Sequence, residues 1–232
     1  MKQLSIILPV YNEKDTIETV LGEWKSVLDK QKITYSFVIC EDGSSDGTAD
    51  LLKEISKKYP LILNQKKQRR GYGKAIIDGI RNADSKFIFC VDSDGQYDPK
   101  DFSKFWETRN QSGVLAGWRV NRADNSQRKI FSRMFKVVFK LMFRTKLHDP
   151  SSTYVLFKKT TIYPFLNYLT FLDEGFWWGF MGMCVKKNIL VKELPISHRK
   201  RIKGETKVFN LKEIPEAAFR NFVGLVKLRV SH

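Results

Sequence analysis

Cysteine, acidic side chains and long apolar runs are all scarce in this chain. Its three cysteines, Cys40, Cys90 and Cys184, are odd in number, far apart and set in apolar surroundings. That pattern suits buried thiols in a reducing compartment and argues against a disulfide framework or a zinc site. No window holds the ~18 uninterrupted apolar residues that a transmembrane helix requires. The apolar run Leu4 to Val10 is interrupted by Pro9 and followed by Asn12 and Glu13 with no small-residue cleavage site, so it reads as a first strand rather than a secretory signal. Internal repeats, low-complexity tracts and Pro/Ser-rich linkers are missing too. The expectation is therefore one domain over residues 1–232.

The deficit of negative charge is the largest imbalance: 25 Asp and Glu stand against 41 Lys and Arg, a formal net charge of +16. A negatively charged partner follows, whether nucleic acid, an anionic membrane or a phosphorylated small molecule. Hydrophobic residues still make up 42% of the chain, enough for a sizeable core.

Phe87-Ile88-Phe89-Cys90-Val91 is a short continuous apolar run, the pattern of a parallel strand covered on both faces. It ends in Asp92-Ser93-Asp94-Gly95-Gln96. While the backbone stays extended, the two carboxylates point the same way and can converge on one hard cation at the C-terminal edge of the sheet, where open α/β sheets hold ligands. Alone, the pair fits equally a couple of solvated turn aspartates.

Around this strand the chain alternates. Leu4 to Val10, Tyr35 to Cys40, Leu61 to Leu63, Val114 to Trp118, Tyr154 to Phe157 and Ile189 to Leu194 read as further strands. Helical spacing links Ile17, Val20, Leu21, Trp24, Val27 and Leu28 behind an Asp15 cap, and Leu51, Leu52, Ile55 and Tyr59 further on. Asp98-Pro99 reads as a helix start with Asp98 as N-cap. Strands alternating with helices predict an α/β fold with a mostly parallel, doubly wound, Rossmann-like sheet. The basic loop Lys66 to Ala75, with Gly71 and Gly73, reads as a tight turn opening a helix, with Arg70 or Lys74 near phosphate.

From Asn125 to His148 there is no acidic residue, and Arg128 to Lys146 reads as one helix. Lys129, Arg133, Lys136, Lys140 and Arg144 share a narrow wedge, and the wide remaining arc is rich in Phe, Met and Val. Such a helix is either buried on two sides or gives one flank to the core and the other to lipid, with its basic wedge on anionic headgroups; aromatic and basic enrichment together favours the second. A second amphipathic helix starts at Pro215 and carries Phe219, Phe222, Leu225 and Val226. Asp173 and Glu174 interrupt an aromatic stretch, as helix caps or as groups projecting into a site.

Four motifs now carry a resemblance: Pro9-Val10-Tyr11-Asn12-Glu13, Asp42-Gly43-Ser44-Ser45-Asp46-Gly47-Thr48, Gly71-Tyr72-Gly73-Lys74-Ala75 and Asp92-Ser93-Asp94-Gly95-Gln96. In this order the chain resembles the family 2 inverting glycosyltransferases of GT-A fold, and within them the dolichol- and polyprenyl-phosphate mannosyl- or glucosyltransferases. The resemblance implies a nucleotide-sugar-binding half over 1–118 and an acceptor-binding, membrane-facing half over 119–232. Pro9, Tyr11, Glu13, Cys40, Asp42 and Ser93 would cradle the nucleotide, and Asp92, Asp94 and Gln96 would hold Mg2+ or Mn2+ on the diphosphate. Arg119, and Arg201 and Lys207 from Arg-x-x-Gly-Glu-Thr-Lys, would meet the donor phosphates; Arg133 and Ser152 would meet the acceptor. The sequence departs from the family at Glu41, where an aspartate is usual, at Thr206, and in Asp149-Pro-Ser-Ser-Thr-Tyr, which only partly matches Asp-x-Thr-Ser-Gly-Phe.

Transfer from a nucleotide diphosphate sugar builds negative charge on the leaving diphosphate, so fixed cations and a divalent ion aimed there lower the barrier. An ionised lipid phosphate needs no base as acceptor, whereas a hydroxyl needs a carboxylate, for which Asp173 or Glu174 is the candidate. The expectation is a metal-dependent hexosyltransferase acting on polyprenyl or dolichyl phosphate, peripheral on the cytoplasmic face of a membrane. The alternatives are a glycosyltransferase acting on a glycan hydroxyl and, remotely, a basic nucleic-acid-binding protein, although no nucleic-acid module is visible.

Overall fold

The computed structural model describes residues 2–120, 126–170, 175–201 and 214–230. In chain order it has β1 (Lys2–Val10), α1 (Ile17–Lys30), β2 (Tyr35–Asp42), α2 (Thr48–Ile55), β3 (Leu61–Lys66), α3 (Tyr72–Asn82), β4 (Ser85–Cys90), α4 (Phe102–Thr108), β5 (Val114–Arg119), α5 (Ser126–Phe143), β6 (Val155–Lys158), α6 (Lys159–Ile162), α7 (Phe176–Lys186), β7 (Val191–Ile196) and α8 (Ile214–Val230). All seven expected strands join one sheet, in the order β3-β2-β1-β4-β6-β5-β7. Only β6 runs antiparallel, to β4 on one side and β5 on the other; every other pairing is parallel.

The period of two along each strand divides the core into two layers. On β1, Leu4, Ile6 and Leu8 face α1 and α4 beside Trp24, Phe89 and Phe102, while Ile7 faces α3 beside Val38, Ile76 and Cys90. Both faces are covered, which is why the central strands read as unbroken apolar runs. Cys40, Cys90 and Cys184 are buried free thiols, and burial raises all three.

Local chemistry sets the ends of the helices, twice against expectation. Asp98 accepts the Lys100 N–H at 2.9 Å ahead of Pro99, as a cap should. Asp15 caps nothing: the Glu13 carbonyl accepts the N–H groups of both Thr16 and Ile17, which closes the turn at Thr16 and leaves Asp15 exposed. At the far end of α5, Arg144 turns left-handed (φ 50°) and the Thr145 N–H reaches back to the Lys140 carbonyl. This cap stops the helix at Phe143, short of the expected Lys146.

The wide apolar arc of α5 is divided between two environments. Phe139 and Phe143 are buried, and Phe143 lies against Gly182 of α7, where an added Cβ would come within 2.7 Å of its ring. Ile130, Met134, Val137 and Leu141 lie in the open, the last 75% exposed. On α8, Leu225 and Leu228 are buried while Phe219, Phe222, Val226 and Val230 are exposed. The two helices touch each other. Among the described residues no helix is long and apolar enough to cross a membrane.

Candidate active site

The C-terminal ends of β1, β2 and β4 come together because β1 pairs with both neighbours in parallel register, Pro9 opposite Cys40 and Ile7 opposite Cys90. Ser93, just beyond β4, is buried and donates its hydroxyl to the Pro9 carbonyl at 2.7 Å, so it ties two strand ends together. The loops after β1 and β2 interlock: the Asn12 N–H donates to Ser44 Oγ, and the Ser45 N–H donates to Asn12 Oδ1. Cys40 is inside the core.

Asp42 holds the basic loop over these strand ends. Its Oδ1 accepts the Arg70 N–H and its Oδ2 the Gly71 N–H, both at 2.9 Å. The loop then carries the Arg69 guanidinium over the Tyr11 ring, 4.4 Å from its centroid, in a cation–π contact. Gly43 permits this approach: at φ +76° it is left-handed, and a Cβ there would lie 2.7 Å from Arg69 N. The Arg70 side chain turns away and pairs with Asp78.

Asp92 and Asp94 lie at the mouth of this cradle. Asp92 Oδ1 accepts the Tyr72 hydroxyl proton at 2.8 Å, and the Tyr72 hydroxyl oxygen in turn accepts the Trp177 indole N–H at 2.8 Å. Asp94 Oδ1 accepts the Gln96 N–H at 3.0 Å, and the Gln96 amide donates to the Arg199 carbonyl at 3.3 Å. Arg201 bridges the motifs, with Nη2 2.8 Å from Glu13 Oε1 and 3.5 Å from Asp94 Oδ2. Burial, and then the charge of Asp94, push the Asp92 carboxyl up to about 6; hydrogen bonds from Tyr72 and Thr153 and the charge of Arg119 pull the other way.

A divalent ion fits this donor set. The charge of Asp94 disfavours ionisation of the buried Asp92, and the two carboxylates with a side-chain amide beside them are hard oxygen ligands for a cation that would relieve Asp92. Among the described residues no group of three His, Cys, Asp or Glu gathers, so protein carboxylates alone would leave most of the coordination sphere to water and substrate phosphate, as suits Mg2+ and its relatives.

Arg119 stands between this pair and a second cavity. Its Nε and Nη2 donate to Asp149 at 2.7 and 2.8 Å, and Nη2 also to Ser151 Oγ at 2.7 Å. Beyond it lies a pocket of about 460 Å³, lined among others by Arg119, Arg133, Lys136, His148, Ser151 and Trp178. The short segment 149–153 serves both sides: Asp149 clamps Arg119, while the Thr153 hydroxyl bonds the Tyr97 hydroxyl at 2.9 Å and supports Asp92. Ser152 is fully buried, its Oγ taking the Tyr154 N–H at 3.4 Å, and Ser151 is the serine that meets Arg119.

The sheet edge thus gathers a closed basic loop, an acidic pair and a cationic pocket, and the model of the glycosyl transferase family 2 matches residues 5–166 of the chain. The chain belongs to that family. This family 2 glycosyltransferase is 25% identical over 221 residues to a dolichol-phosphate mannosyltransferase of Pyrococcus furiosus, covering 89% of this chain and 59% of the relative. It is 26% identical over 258 residues to a dolichyl-phosphate beta-glucosyltransferase of Dictyostelium discoideum, covering 97% and 77%. An undecaprenyl-phosphate 4-deoxy-4-formamido-L-arabinose transferase of Edwardsiella ictaluri is 24% identical, over 88% of this chain and 62% of its own length. The chain thus spans about three fifths of two of these three relatives. Among solved structures, glucosyl-3-phosphoglycerate synthase of Mycobacterium tuberculosis with Mn2+, uridine diphosphate and phosphoglyceric acid superposes at a TM-score of 0.70 with 16% identity, covering 100% of this chain and 80% of that one. Mannosyl-3-phosphoglycerate synthase of Rubrobacter xylanophilus follows at 0.67 and 13%, covering 97% and 73%. At these identities the likeness is one of fold, and the fold is GT-A.

Of the residues singled out in the sequence, the glycosyltransferase brings Tyr11, Glu13, Asp42, Asp92, Asp94, Gln96, Arg119, Arg133 and Arg201 to this one edge. Asp173, Glu174 and Lys207 lie outside the described residues. Tyr72, Trp177, His148, Ser151, Thr153 and Glu193 were not anticipated. Tyr72 stood inside one of the four motifs, and Ser151 and Thr153 inside the segment that only partly matched the family; the other three carry no local signal, because packing of α7 on α3 and of β7 on β5 brings them in.

Proposed function

We propose that this glycosyltransferase moves a hexose from a nucleotide diphosphate sugar to the phosphate of a polyprenyl or dolichyl phosphate, with Mg2+ or Mn2+, at an anionic membrane surface. The observation that carries this reading is the pocket beyond Arg119. Three cations, Arg119, Arg133 and Lys136, line it, and the charge of Arg119 is felt at Asp92. An anionic acceptor entering there approaches the donor diphosphate from across a single guanidinium.

The protein's own residues then have distinct work. Tyr11 and Arg69 form a stacked wall for the nucleotide, and Asp42 keeps the basic loop closed on it. Asp92 and Asp94, with Gln96, would hold the divalent ion, which when bound neutralises charge growing on the leaving diphosphate. Arg201, beside Asp94 and Glu13, would add a fixed cation at the donor phosphates, and the resemblance gives Lys207 the same work. Arg119 keeps the two anionic substrates apart until both are seated. A phosphate acceptor is already ionised at neutral pH, so the transfer asks no general base of the protein.

The stripes of α5 and α8 support the membrane half of the reading. Ile130, Met134, Val137 and Leu141 repeat at helical spacing on α5, as do Phe219, Phe222, Val226 and Val230 on α8, with Arg133, Lys136, Lys140, Arg220 and Lys227 beside them. Apolar rows flanked by cations lie in the headgroup boundary of anionic bilayers. On this reading the acceptor phosphate would enter the pocket while its prenyl chain stays in lipid.

The test is incubation with Mn2+ or Mg2+, a panel of labelled nucleotide sugars and a polyprenyl phosphate, followed by solvent extraction. Label should enter the organic phase and Asp94→Ala should abolish it. Label found only in water-soluble saccharide overturns the acceptor, and full activity in Asp94→Ala overturns the metal assignment.

A further inference from the structure

Glu193 is the only acidic residue of β7, and its side chain is 9% exposed. It accepts three hydrogen bonds from two consecutive residues: the His148 N–H to Oε2 at 2.7 Å, the Asp149 N–H to Oε1 at 2.8 Å, and His148 Nδ1 to Oε2 at 2.9 Å. Strand register explains the position. Glu193 pairs with Ala116 of β5 and Pro195 with Trp118, so Glu193 points to the same sheet face as Trp118. The His148 ring stacks on Trp118, with centroids 4.3 Å apart and planes at 21°. Its orientation is therefore fixed twice, by the stack and by the carboxylate on Nδ1. Nε2 has no partner among the described residues, and the ring lines the pocket.

We propose that His148 contacts the anionic head of the acceptor directly through Nε2, and that Glu193 is the positioning residue that aims both His148 and, through Asp149, Arg119. The proposal rests on reading this pocket as the acceptor-phosphate site. A carboxylate needed only to close the turn would use the two backbone N–H groups; the third bond, to the imidazole, does nothing for the turn and everything for the ring. The charged groups facing His148 are Glu193 on β7, Arg133 and Lys136 on α5, Arg119 on β5 and Asp149 in the turn. Both carboxylates are already engaged, Glu193 by the turn and Asp149 by Arg119, so an arriving phosphate meets cations. With Nδ1–H on Glu193, an Nε2–H given to a phosphate oxygen makes the ring an imidazolium held between two anions. The additional proton comes from the monoanionic phosphate, whose O–H bond breaks as the Nε2–H bond forms and which is left as the dianion.

The test is a titration of the full chain, labelled with 15N-histidine, with farnesyl phosphate, inorganic phosphate and farnesol. The His148 ring signals are assigned by their loss in His148→Gln. Farnesyl phosphate should move Nε2 toward the imidazolium position; inorganic phosphate should do so more weakly and farnesol not at all. Glu193→Gln should bind farnesyl phosphate about tenfold more weakly, the size of one hydrogen bond to a charged group. In turnover it should raise the acceptor KM and leave the donor KM unchanged, a split that loss of general stability would not produce. Unmoved His148 signals at saturating farnesyl phosphate overturn the proposal, as does wild-type farnesyl phosphate affinity in Glu193→Gln. A shifted His148 in a protein that yields no lipid-extractable product overturns the acceptor reading alone.

Discussion

Arg119 and Asp149 meet fork to fork, Nε to Oδ2 and Nη2 to Oδ1, with both side chains less than a tenth exposed. A buried pair of this kind holds the guanidinium plane in one orientation, and here that orientation separates an acidic pair from a cationic pocket.

Asp149→Asn should therefore be damaging twice. It leaves a buried guanidinium without its counter-charge, which costs about 3–5 kcal/mol. It also frees Arg119 to swing toward the Asp92 carboxylate, so transfer should fall even at temperatures where the variant is folded. Thermal melts and turnover below the transition measure the two effects, and a variant that melts and turns over like the wild type refutes both.

Asp92 predicts an unusual dependence on pH. Its carboxyl is raised from 3.8 to about 6, so between those values the native chain binds a proton that the unfolded chain has lost. Its contribution is fully present below about 4, declines as pH rises and is gone above about 6. In chelator, wild-type Tm should fall relative to Asp92→Asn across this window, and Mn2+ added at pH 7 should raise the Tm of the wild type only. Parallel curves for the two proteins would remove the strain ascribed to the Asp92–Asp94 pair.

Gly43→Ala tests the closed basic loop. The left-handed backbone alone costs an alanine about 1–2 kcal/mol. The added Cβ would in addition strike the backbone of Gln68 and Arg69, which cannot yield as a flexible side chain would. Uridine or guanosine diphosphate binding, followed by calorimetry, should weaken by more than the stability change alone explains. Unaltered binding would show that the loop does not touch the nucleotide.

Tyr154→Phe should be harmless or favourable. The ring is fully buried against Phe89, Phe105 and Tyr97, yet its hydroxyl has no hydrogen-bond partner among the described residues. An unpaired buried hydroxyl costs about 1–3 kcal/mol. Denaturant unfolding should show equal or greater stability for the phenylalanine, and a loss above about 1 kcal/mol would mean that the hydroxyl is paired.

Much of the carboxylate end of the candidate site was legible because its residues are neighbours in the chain. Asp92 and Asp94 share one strand end, Asp42 and Gly43 share one loop, and the apolar runs that place them are local patterns of period two. Helix ends were less legible. Asp15 has the right chemistry for a cap, but the Glu13 carbonyl closed the turn first. Nothing in the order of residues says which of two adjacent groups will win such a competition.

The side of the cationic pocket divides along the same line. The basic wedge and apolar arc of α5 follow from 3.6 residues per turn, so the residue order was enough to establish an amphipathic helix of cations and large apolar groups. It could not say which flank of that arc meets the core, because the choice depends on Gly182 of α7 making room for Phe143. The joining of His148, Asp149 and Arg119 to Glu193 likewise waited on strand register: a one-residue slip of β7 against β5 would turn Glu193 to the other face. Chemistry carried by residues close in sequence is written in local periodicity, whereas chemistry assembled across the sheet exists only once the strands have chosen their partners.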